Sequence, residues 1–189
     1  MWSLKEYRRK LRQQRWNNEY LNGKWNYMQS IEELGRYSII VGYAQYLNAK
    51  SVLDVGCGDG NLIRLLPLME SYVGIDMSRI ALAKAQEVMD IRPNYCLIEA
   101  DFDAYVPTNK FDLIVFGESL YYSKHPLQTL VSYQDALAKG GHCVISMYKN
   151  LKAPPVWDMV IEIFDIVDET HIQQKNQGWI SRLLIPKQK

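Results

Sequence analysis

Short apolar runs alternate with amphipathic segments from about residue 30 onward. Five runs have the length of buried strands, and they occupy residues 51–55, 71–75, 95–98, 111–116 and 142–146. The segments between them repeat apolar residues at helical spacing. Strands that alternate with helices form a mostly parallel sheet with helices on both faces, so the pattern predicts an α/β fold.

The predicted helices begin and end at recognisable signals. They cover residues 31–48, 61–66, 78–89 and 127–138, and a last one begins at Pro154 or Pro155. Ser30 and Glu33 have the spacing of a capping box, and Gly140 with Gly141 is expected to close the fourth helix. The buried positions predicted for the first helix are Leu34, Ile39, Ile40, Tyr43 and Leu47.

The two ends of the chain differ from this alternation. Residues 166–172 and 179–185 read as two strands joined by a hairpin. At the other end, Leu4, Tyr7 and Leu11 predict an amphipathic helix with a basic outer face, which is either a solvated surface or a flap over a ligand. Aromatic and amide residues between 17 and 28 suit a lid. We therefore expect one domain, 1–189, with a helical lid over 1–29 and a core over 30–189.

Composition and charge narrow the class of protein. With 189 residues and 48% hydrophobic content, the chain can bury one sizeable core. The net charge of +1 gives no overall field that points to nucleic acid or membrane, and no apolar run is long enough to span a bilayer. Three widely spaced cysteines and the lack of a signal peptide predict a cytoplasmic protein, as monomer or homodimer, and no metal-binding cluster is apparent.

A glycine-rich turn follows the first predicted strand, in the stretch Ser51-Val-Leu-Asp-Val-Gly-Cys-Gly-Asp-Gly60. Ligands of open parallel sheets bind outside the carboxyl ends of the strands, where glycine lets a ligand approach the backbone. The spacing departs from the dinucleotide pattern G-x-G-x-x-G. Asp54 and Asp59 would also repel a pyrophosphate, so the turn favours a cationic or neutral ligand.

This stretch resembles the first motif of the class I S-adenosylmethionine-dependent methyltransferases. Further segments resemble that family's motifs in order, namely residues 73–78, 99–102, 111–122 and 137–146. Lys139 stands where the family usually has proline. Over about residues 30–187, the resemblance implies a Rossmann-like seven-stranded sheet of order 3-2-1-4-5-7-6 with its last strand antiparallel. The small nodulation-type N-methyltransferases and natural-product methyltransferases look most similar.

The resemblance also implies where S-adenosylmethionine, and its product S-adenosylhomocysteine, would bind. Asp76 would hold the ribose hydroxyls, Asp101 the adenine amino group, and the backbone near Phe102 a ring nitrogen. The full set of predicted cofactor-binding residues is Tyr27, Arg36, Asp54, Gly56, Cys57, Gly58, Asp76, Met77, Asp101, Phe102 and Glu118. Asp54 is expected to orient the glycine turn, and Cys57 to fill space within it. Tyr27 and Arg36 could touch the methionine carboxylate, or Arg36 could lie at the surface and Tyr27 pack inward.

The loop after the fourth strand is where a proton acceptor would lie. Glu118, Tyr122 and His125 are the predicted catalytic residues, and Tyr121 is a further candidate. Each has an alternative: His125 could cap the next helix, the tyrosines could be pocket walls, and Glu118 could bind the cofactor's amino group.

The acceptor is a separate question. Residues 117–120 lack the Asn/Asp-Pro-Pro-aromatic segment that adenine-specific nucleic-acid methyltransferases would carry here. We therefore expect methyl transfer to a nitrogen or oxygen of a small molecule, without nucleic-acid or membrane partners. A non-catalytic binding module on the same fold and an NAD-dependent dehydrogenase are the alternatives.

Overall fold

A seven-stranded sheet forms the centre of the protein, as seen in a computed structural model that describes residues 3–89 and 94–187. The strands are β1 (Ser51–Val55), β2 (Ser71–Asp76), β3 (Tyr95–Glu99), β4 (Phe111–Gly117), β5 (Leu137–Tyr148), β6 (Phe164–Gln174) and β7 (Gln177–Pro186). Their order is β3-β2-β1-β4-β5-β7-β6, with β7 antiparallel to both neighbours and the other pairs parallel. The predicted fold class and strand order are confirmed. The predicted domain bounds at residues 1 and 189 lie outside the described residues.

Helices cover both faces of the sheet. They are α1 (Leu4–Leu21), α2 (Ile31–Tyr46), α3 (Asn61–Leu65), α4 (Arg79–Met89), α5 (Pro126–Gln134) and α6 (Ala153–Ile163), with 3-10 turns at Asn26–Gln29 and Leu120–Tyr122. Side chains of α2, α3 and α4 form one buried core with Val52 and Val144, and those of α5 and α6 form the other with Leu53 and Ile145. Neighbouring residues of one strand therefore enter opposite cores, as the pleat requires.

The buried face of α2 differs from the prediction. Of the predicted positions, Ile40 is buried, Leu34 is 38% exposed, and Ile39, Tyr43 and Leu47 are only partly buried. The other buried residues of the helix are Glu33, Arg36, Tyr37 and Ala44. The predicted capping box is absent: Ser30 makes no side-chain cap, and the Glu33 carboxylate accepts a hydrogen bond from Arg36 Nε at 2.6 Å, while the Ser30 amide donates to the Tyr27 carbonyl. The helix therefore buries the Glu33–Arg36 ion pair, whereas the apolar periodicity predicts that Leu34 is buried.

The end of α5 was also placed wrongly from sequence. The helix ends at Gln134, and Gly140 with Gly141 lies inside β5, beside a register shift between Phe111 and Leu113 of β4. A Cβ atom on Gly141 would lie 2.8 Å from the Phe111 carbonyl oxygen. Gly141 therefore permits a close strand approach at an irregularity of the sheet, Gly140 supplies a positive φ of 78° there, and the pair does not cap a helix.

The helix α1 lies over the carboxyl edge of the sheet. Arg8, Arg9, Lys10 and Arg15 are exposed, as expected of a basic outer face, but the apolar residues that were expected to face inward do not. Leu4, Tyr7 and Leu11 are about half or more exposed. Its inward contacts include polar ones, since Gln13 Nε2 donates to the Met77 carbonyl at 3.0 Å and Ser78 Oγ donates to Asn17 Oδ1 at 2.9 Å, and aromatic ones from Trp16 and Tyr20. The edge it covers consists of strand ends and loops, whose exposed backbone groups need hydrogen-bond partners rather than apolar contact. A capping box is present at the start of α1, between Ser3 and Glu6.

No helix in residues 3–89 or 94–187 combines the length and the apolar character needed to cross a membrane.

Candidate active site

A cavity with a volume of about 390 Å³ lies at the carboxyl ends of β1 to β5. The sheet edge supplies Gly56, Asp76, Met77, Asp101, Phe102, Gly117, Glu118, Ser119, Tyr121, Tyr122, Tyr148, Asn150, Gln177 and Trp179. The other side is formed by Arg12, Trp16, Tyr20, Trp25, Tyr27, Met28 and Glu33. All but Glu33 belong to the segment from α1 to the turn Asn26–Gln29, which we call the lid. The position is the one where open α/β sheets bind ligands.

Asp76 is held at the end of β2 by two backbone amides. Gly58 N donates to its Oδ2 at 3.0 Å and Ser78 N to its Oδ1 at 2.8 Å. Burial raises the pKa of Asp76 to about 6, although these two bonds oppose the shift. A carboxylate has about four acceptor positions, so each oxygen can still accept a hydroxyl proton from the cavity.

Asp101, at the end of β3, forms an ion pair with Arg12 of the lid, which was not expected from sequence. Asp103 lies 3.7 Å from the same guanidinium. Phe102 lines the cavity, and its carbonyl oxygen accepts a hydrogen bond from Tyr133 at 3.2 Å, so the segment is fixed against α5. The adenine-binding position predicted here is therefore also where the lid is attached.

We expect Arg12→Ala to loosen the lid. Losing a partly buried ion pair costs about 1 kcal/mol, which corresponds to roughly fivefold faster hydrogen exchange of the α1 amides. Arg9→Ala, at an exposed position of the same helix, is the control and should leave exchange unchanged. Equal exchange in both variants would show that Arg12 does not hold the lid down.

The glycine turn is tightly packed against the lid and the loop after β4. Gly56 and Gly58 have positive φ angles of 77° and 57°. A Cβ on Gly58 would lie 2.6 Å from the Tyr20 hydroxyl, and one on Gly56 would lie 2.6 Å from Ser119 Cβ. Both positions therefore require glycine, because the protein's own side chains approach the backbone there.

Asp54 does not orient the glycine turn as predicted. The amides of Gly56 and Cys57 donate to the Ile75 carbonyl at 2.8 and 3.0 Å. The Asp54 carboxyl accepts a hydrogen bond from Tyr72 at 2.6 Å, and burial raises its pKa to about 7. The β2 backbone beside the turn therefore holds it in place. The Asp54 carboxyl is not needed for this and pairs with Tyr72 instead.

Asp54, Cys57 and Gly58 line a smaller cavity of about 30 Å³ beside the main one. Tyr20, Met28, Gly56 and Gly117 line both cavities. These three predicted cofactor residues thus lie behind lid side chains and not on the main cavity wall.

Arg36 is completely buried, so the alternative of a surface residue is wrong. Its Nε donates to Glu33 at 2.6 Å and its Nη2 to the Tyr37 hydroxyl at 2.8 Å. Its Nη1, near Gly117, is buried and has no hydrogen-bond partner among the described residues. A buried cationic donor without a partner is costly, which makes this atom a candidate for binding an anionic group.

Glu118 follows β4 with an unusual backbone conformation, φ 62°. Its amide donates to the Ser146 carbonyl at 2.9 Å and its Oε2 accepts a hydrogen bond from the Tyr121 hydroxyl. Its Oε1 is buried and lacks a partner within the described chain. Burial raises the pKa of Glu118 to about 7, although Arg36 and Tyr121 oppose the shift. The group can therefore exchange a proton near neutral pH.

The remaining predicted residues divide between the cavity and the surface. Tyr122 and Met77 line the cavity, and Tyr27 lines it while half exposed. His125 does not line it: the residue is exposed at the start of α5, where its amide donates to Ser123 Oγ at 3.0 Å. Because Pro126 begins the helix directly after it, His125 is held at the helix terminus, away from the cavity wall. We therefore drop it as a catalytic candidate.

Sequence reasoning missed several cavity residues. These are Arg12, Trp16, Tyr20, Trp25, Met28, Glu33, Gly117, Ser119, Tyr148, Asn150, Gln177 and Trp179. The aromatic composition of residues 17–28 was a usable signal for the lid members. No sequence signal pointed to Gln177 and Trp179, because these residues reach the cavity only through the pairing of β7 with β5.

The donor set of the cavity fits S-adenosylmethionine. Unpartnered buried atoms, Arg36 Nη1 and Ser119 Oγ, stand near Gly117 and Gly56 and suit an amino-acid end. Asp76 suits a ribose diol, and Asp101 with Phe102 suits an adenine edge. No group of three or more potential metal ligands is found among residues 3–89 and 94–187.

The strand order and this strand-end cavity are those of the class I S-adenosylmethionine-dependent methyltransferases. The chain belongs to the family described as "Methyltransferase domain", whose sequence profile matches residues 47–182. An NAD-dependent dehydrogenase is thereby set aside.

Known proteins agree with this assignment. The crystal structure of the N-methyltransferase NodS from Bradyrhizobium japonicum WM9 in complex with S-adenosyl-L-homocysteine is similar in fold, with a TM-score of 0.79 at 20% identity, covering 93% of this chain and 98% of that one. A trans-aconitate 2-methyltransferase of Acidovorax sp. (strain JS42) is 30% identical over 110 residues, which are 56% of this chain and 41% of the relative. A tRNA U34 carboxymethyltransferase of Shewanella sediminis (strain HAW-EB3) is 28% identical over 115 residues, 58% of this chain and 35% of the relative. The chain spans less than half the length of these two curated relatives.

Proposed function

We propose that this protein transfers a methyl group from S-adenosylmethionine to a nitrogen or oxygen atom of a small molecule. When bound, S-adenosylmethionine supplies an electrophilic methyl group, and transfer forms a bond from the acceptor atom to the methyl carbon while the carbon–sulfur bond breaks and its electron pair stays on sulfur. The single observation that carries the proposal is Asp76, a largely buried carboxylate held by two amides at the cavity edge.

The protein's own residues divide the work of binding and positioning. Asp76 would accept the ribose hydroxyls, and Asp101 the adenine amine through the oxygen not paired with Arg12. Arg36 Nη1 would meet the carboxylate of the methionine part. The lid supplies three aromatic walls, Trp16, Trp25 and Tyr27, that exclude water and hold the acceptor in line for displacement.

Cavity size and closure support a small-molecule acceptor. The volume of about 390 Å³ is in the usual range of small-molecule sites, and the lid covers it from the side opposite the sheet edge. The trans-aconitate methyltransferases among the relatives act, by their name, on a small molecule, and the tRNA carboxymethyltransferases on tRNA. A nucleic acid would have to present its base past Trp16 and Trp25 of the docked lid.

Asp76→Ala is expected to weaken S-adenosylhomocysteine binding at least tenfold, about 1.4 kcal/mol. The substitution removes the ribose acceptor and leaves the Gly58 and Ser78 amides without their partner. Titration calorimetry measures the change, with Asp158→Ala on the exposed face of α6 as a matched control that should bind normally.

Two results would contradict the proposal. If the wild-type protein fails to bind S-adenosylhomocysteine, the cofactor assignment is wrong. If it binds the cofactor but labels nothing in a methyl-label screen of small amines, hydroxyls and carboxylates, the non-catalytic alternative is correct; label in RNA or protein instead would replace the small-molecule acceptor.

A further inference from the structure

Aromatic side chains line the cavity from both of its sides. Trp16, Trp25 and Tyr27 come from the lid, and Tyr122, Tyr148 and Trp179 from the sheet edge. The two groups meet where Trp16 packs edge-on against Tyr122, with ring centroids 5.1 Å apart. The aromatic chamber, as we call these six residues, is therefore complete only when the lid is docked.

The rings of this chamber already attract cations on the protein's own surface. Arg15 lies 5.3 Å from the Trp16 ring, Lys24 lies 5.5 Å from the Trp25 ring, and Lys152 lies 5.5 Å from the Tyr122 ring. None of these three cations lines the cavity. Ring faces that point inward can bind a cation in the same way, through the negative potential of the aromatic face.

The fixed charge of the cavity lining is negative. Four carboxylates line it, those of Glu33, Asp76, Asp101 and Glu118. Among the described residues, Arg12 is the one cation of the lining, and it is paired with Asp101. Arg36 Nη1 would already be occupied by the carboxylate of the methionine part, so an acidic acceptor would find no further unpaired positive group there, and the carboxylates would repel it. A cationic acceptor would be attracted both by the carboxylates and by the rings.

Glu118 is the carboxylate best placed to serve the acceptor. Of the four, Asp101 is paired with Arg12, Glu33 with Arg36, and Asp76 with two amides. Glu118 keeps one oxygen, Oε1, without a partner among the described residues. It directly precedes Ser119 and lies on the loop that carries Tyr121 and Tyr122 of the cavity wall.

We propose that the aromatic chamber binds an aliphatic amine, in its protonated form and without acidic substituents, as the methyl acceptor, and that Glu118 takes the proton from its nitrogen. The ammonium N–H bond breaks, the proton moves to Glu118 Oε1, and the electron pair stays on the nitrogen, which is then a neutral nucleophile. The carboxylate becomes a neutral carboxylic acid, so charge is conserved. This inference rests on the proposed function and deepens it by choosing nitrogen over oxygen.

The test compares three probes of one shape, cyclohexylamine, cyclohexanol and cyclohexanecarboxylate, in binding to the protein saturated with S-adenosylhomocysteine. Tryptophan fluorescence and calorimetry report binding without any methyl transfer. Cyclohexylamine is expected to bind at least tenfold more tightly than cyclohexanol, and cyclohexanecarboxylate is expected not to bind. Glu118→Gln and Tyr122→Leu should each remove most of the preference for the amine, whereas Tyr46→Leu, at an exposed position of α2 outside the cavity, should keep it.

S-adenosylhomocysteine binding, measured first on every variant, shows that the variant is folded and separates the two hypotheses. If the wild type does not bind it, the proposed function fails. If it binds and the amine shows no advantage over the alcohol, or the carboxylate binds best, or none of the three binds at about 10 mM, the amine inference is overturned and the proposed function stands.

Discussion

Arg36→Met is expected to lower the free energy of unfolding by about 3–5 kcal/mol, because it leaves the Glu33 carboxylate buried without its partner. Arg36 is completely buried and Glu33 is 3% exposed, so water cannot replace the lost ion pair. The Tyr37 hydroxyl and Met28 Sδ lose the guanidinium as well. Urea unfolding followed by circular dichroism measures the loss.

The double variant Glu33→Gln/Arg36→Met is the control, since it removes both charges at once. It should recover most of the stability, because a neutral buried pair carries no uncompensated charge. If Arg36 Nη1 contacts the methionine carboxylate, the double variant should bind S-adenosylhomocysteine more weakly than the wild type even though its stability has recovered. Full stability in Arg36→Met alone would contradict the buried ion pair as a stabilising contact, and normal cofactor affinity in the double variant would contradict the binding role.

Glu118→Gln is expected to slow methyl transfer to an amine about 100-fold at pH 7, the usual magnitude for a lost proton acceptor. Glutamine has nearly the same shape and can still accept the Tyr121 hydroxyl hydrogen bond, so the site should keep its geometry. The measured quantity is kcat, separated from KM for S-adenosylmethionine.

The pH dependence gives the sharper comparison. The proton acceptor acts in its ionised form, and the pKa of Glu118 is raised to about 7, so the wild-type rate should rise with pH and level off just above 7. In Glu118→Gln the rate should keep rising toward the ordinary pKa of an aliphatic amine, about 10. If instead kcat is unchanged and only cofactor affinity falls, Glu118 binds the cofactor's amino group and the proton-acceptor role is wrong.

The position of Asp76, Asp101 and Gly56 at the cavity edge could be predicted from sequence because these residues closely follow strands. Each stands one to three residues beyond an apolar run, and parallel strands bring their carboxyl ends to one edge. His125 shows the limit of this reasoning. It lies only eight residues after Gly117 but is carried to the surface by the start of α5.

Burial in α1 and α2 could not be predicted from apolar periodicity. The periodicity of α1 points Leu4, Tyr7 and Leu11 inward, yet the helix docks through Arg12, Gln13 and other polar groups. A helix that covers strand ends meets unpaired backbone groups and carboxylates, and polar side chains satisfy them better than leucine does.

The sequence by itself determined the cavity edge and the two acidic positions at the ends of β2 and β3, because each depends on a local motif and on the rules of parallel sheets. The sheet order was implied by the resemblance to the methyltransferase family. Only the tertiary structure decided which side chains cover the cavity and which charged groups line it. Arg12 meets Asp101 across 89 residues, and Trp179 reaches the cavity through a reversed strand. Such contacts depend on how separate elements pack, and no local pattern of residues encodes them.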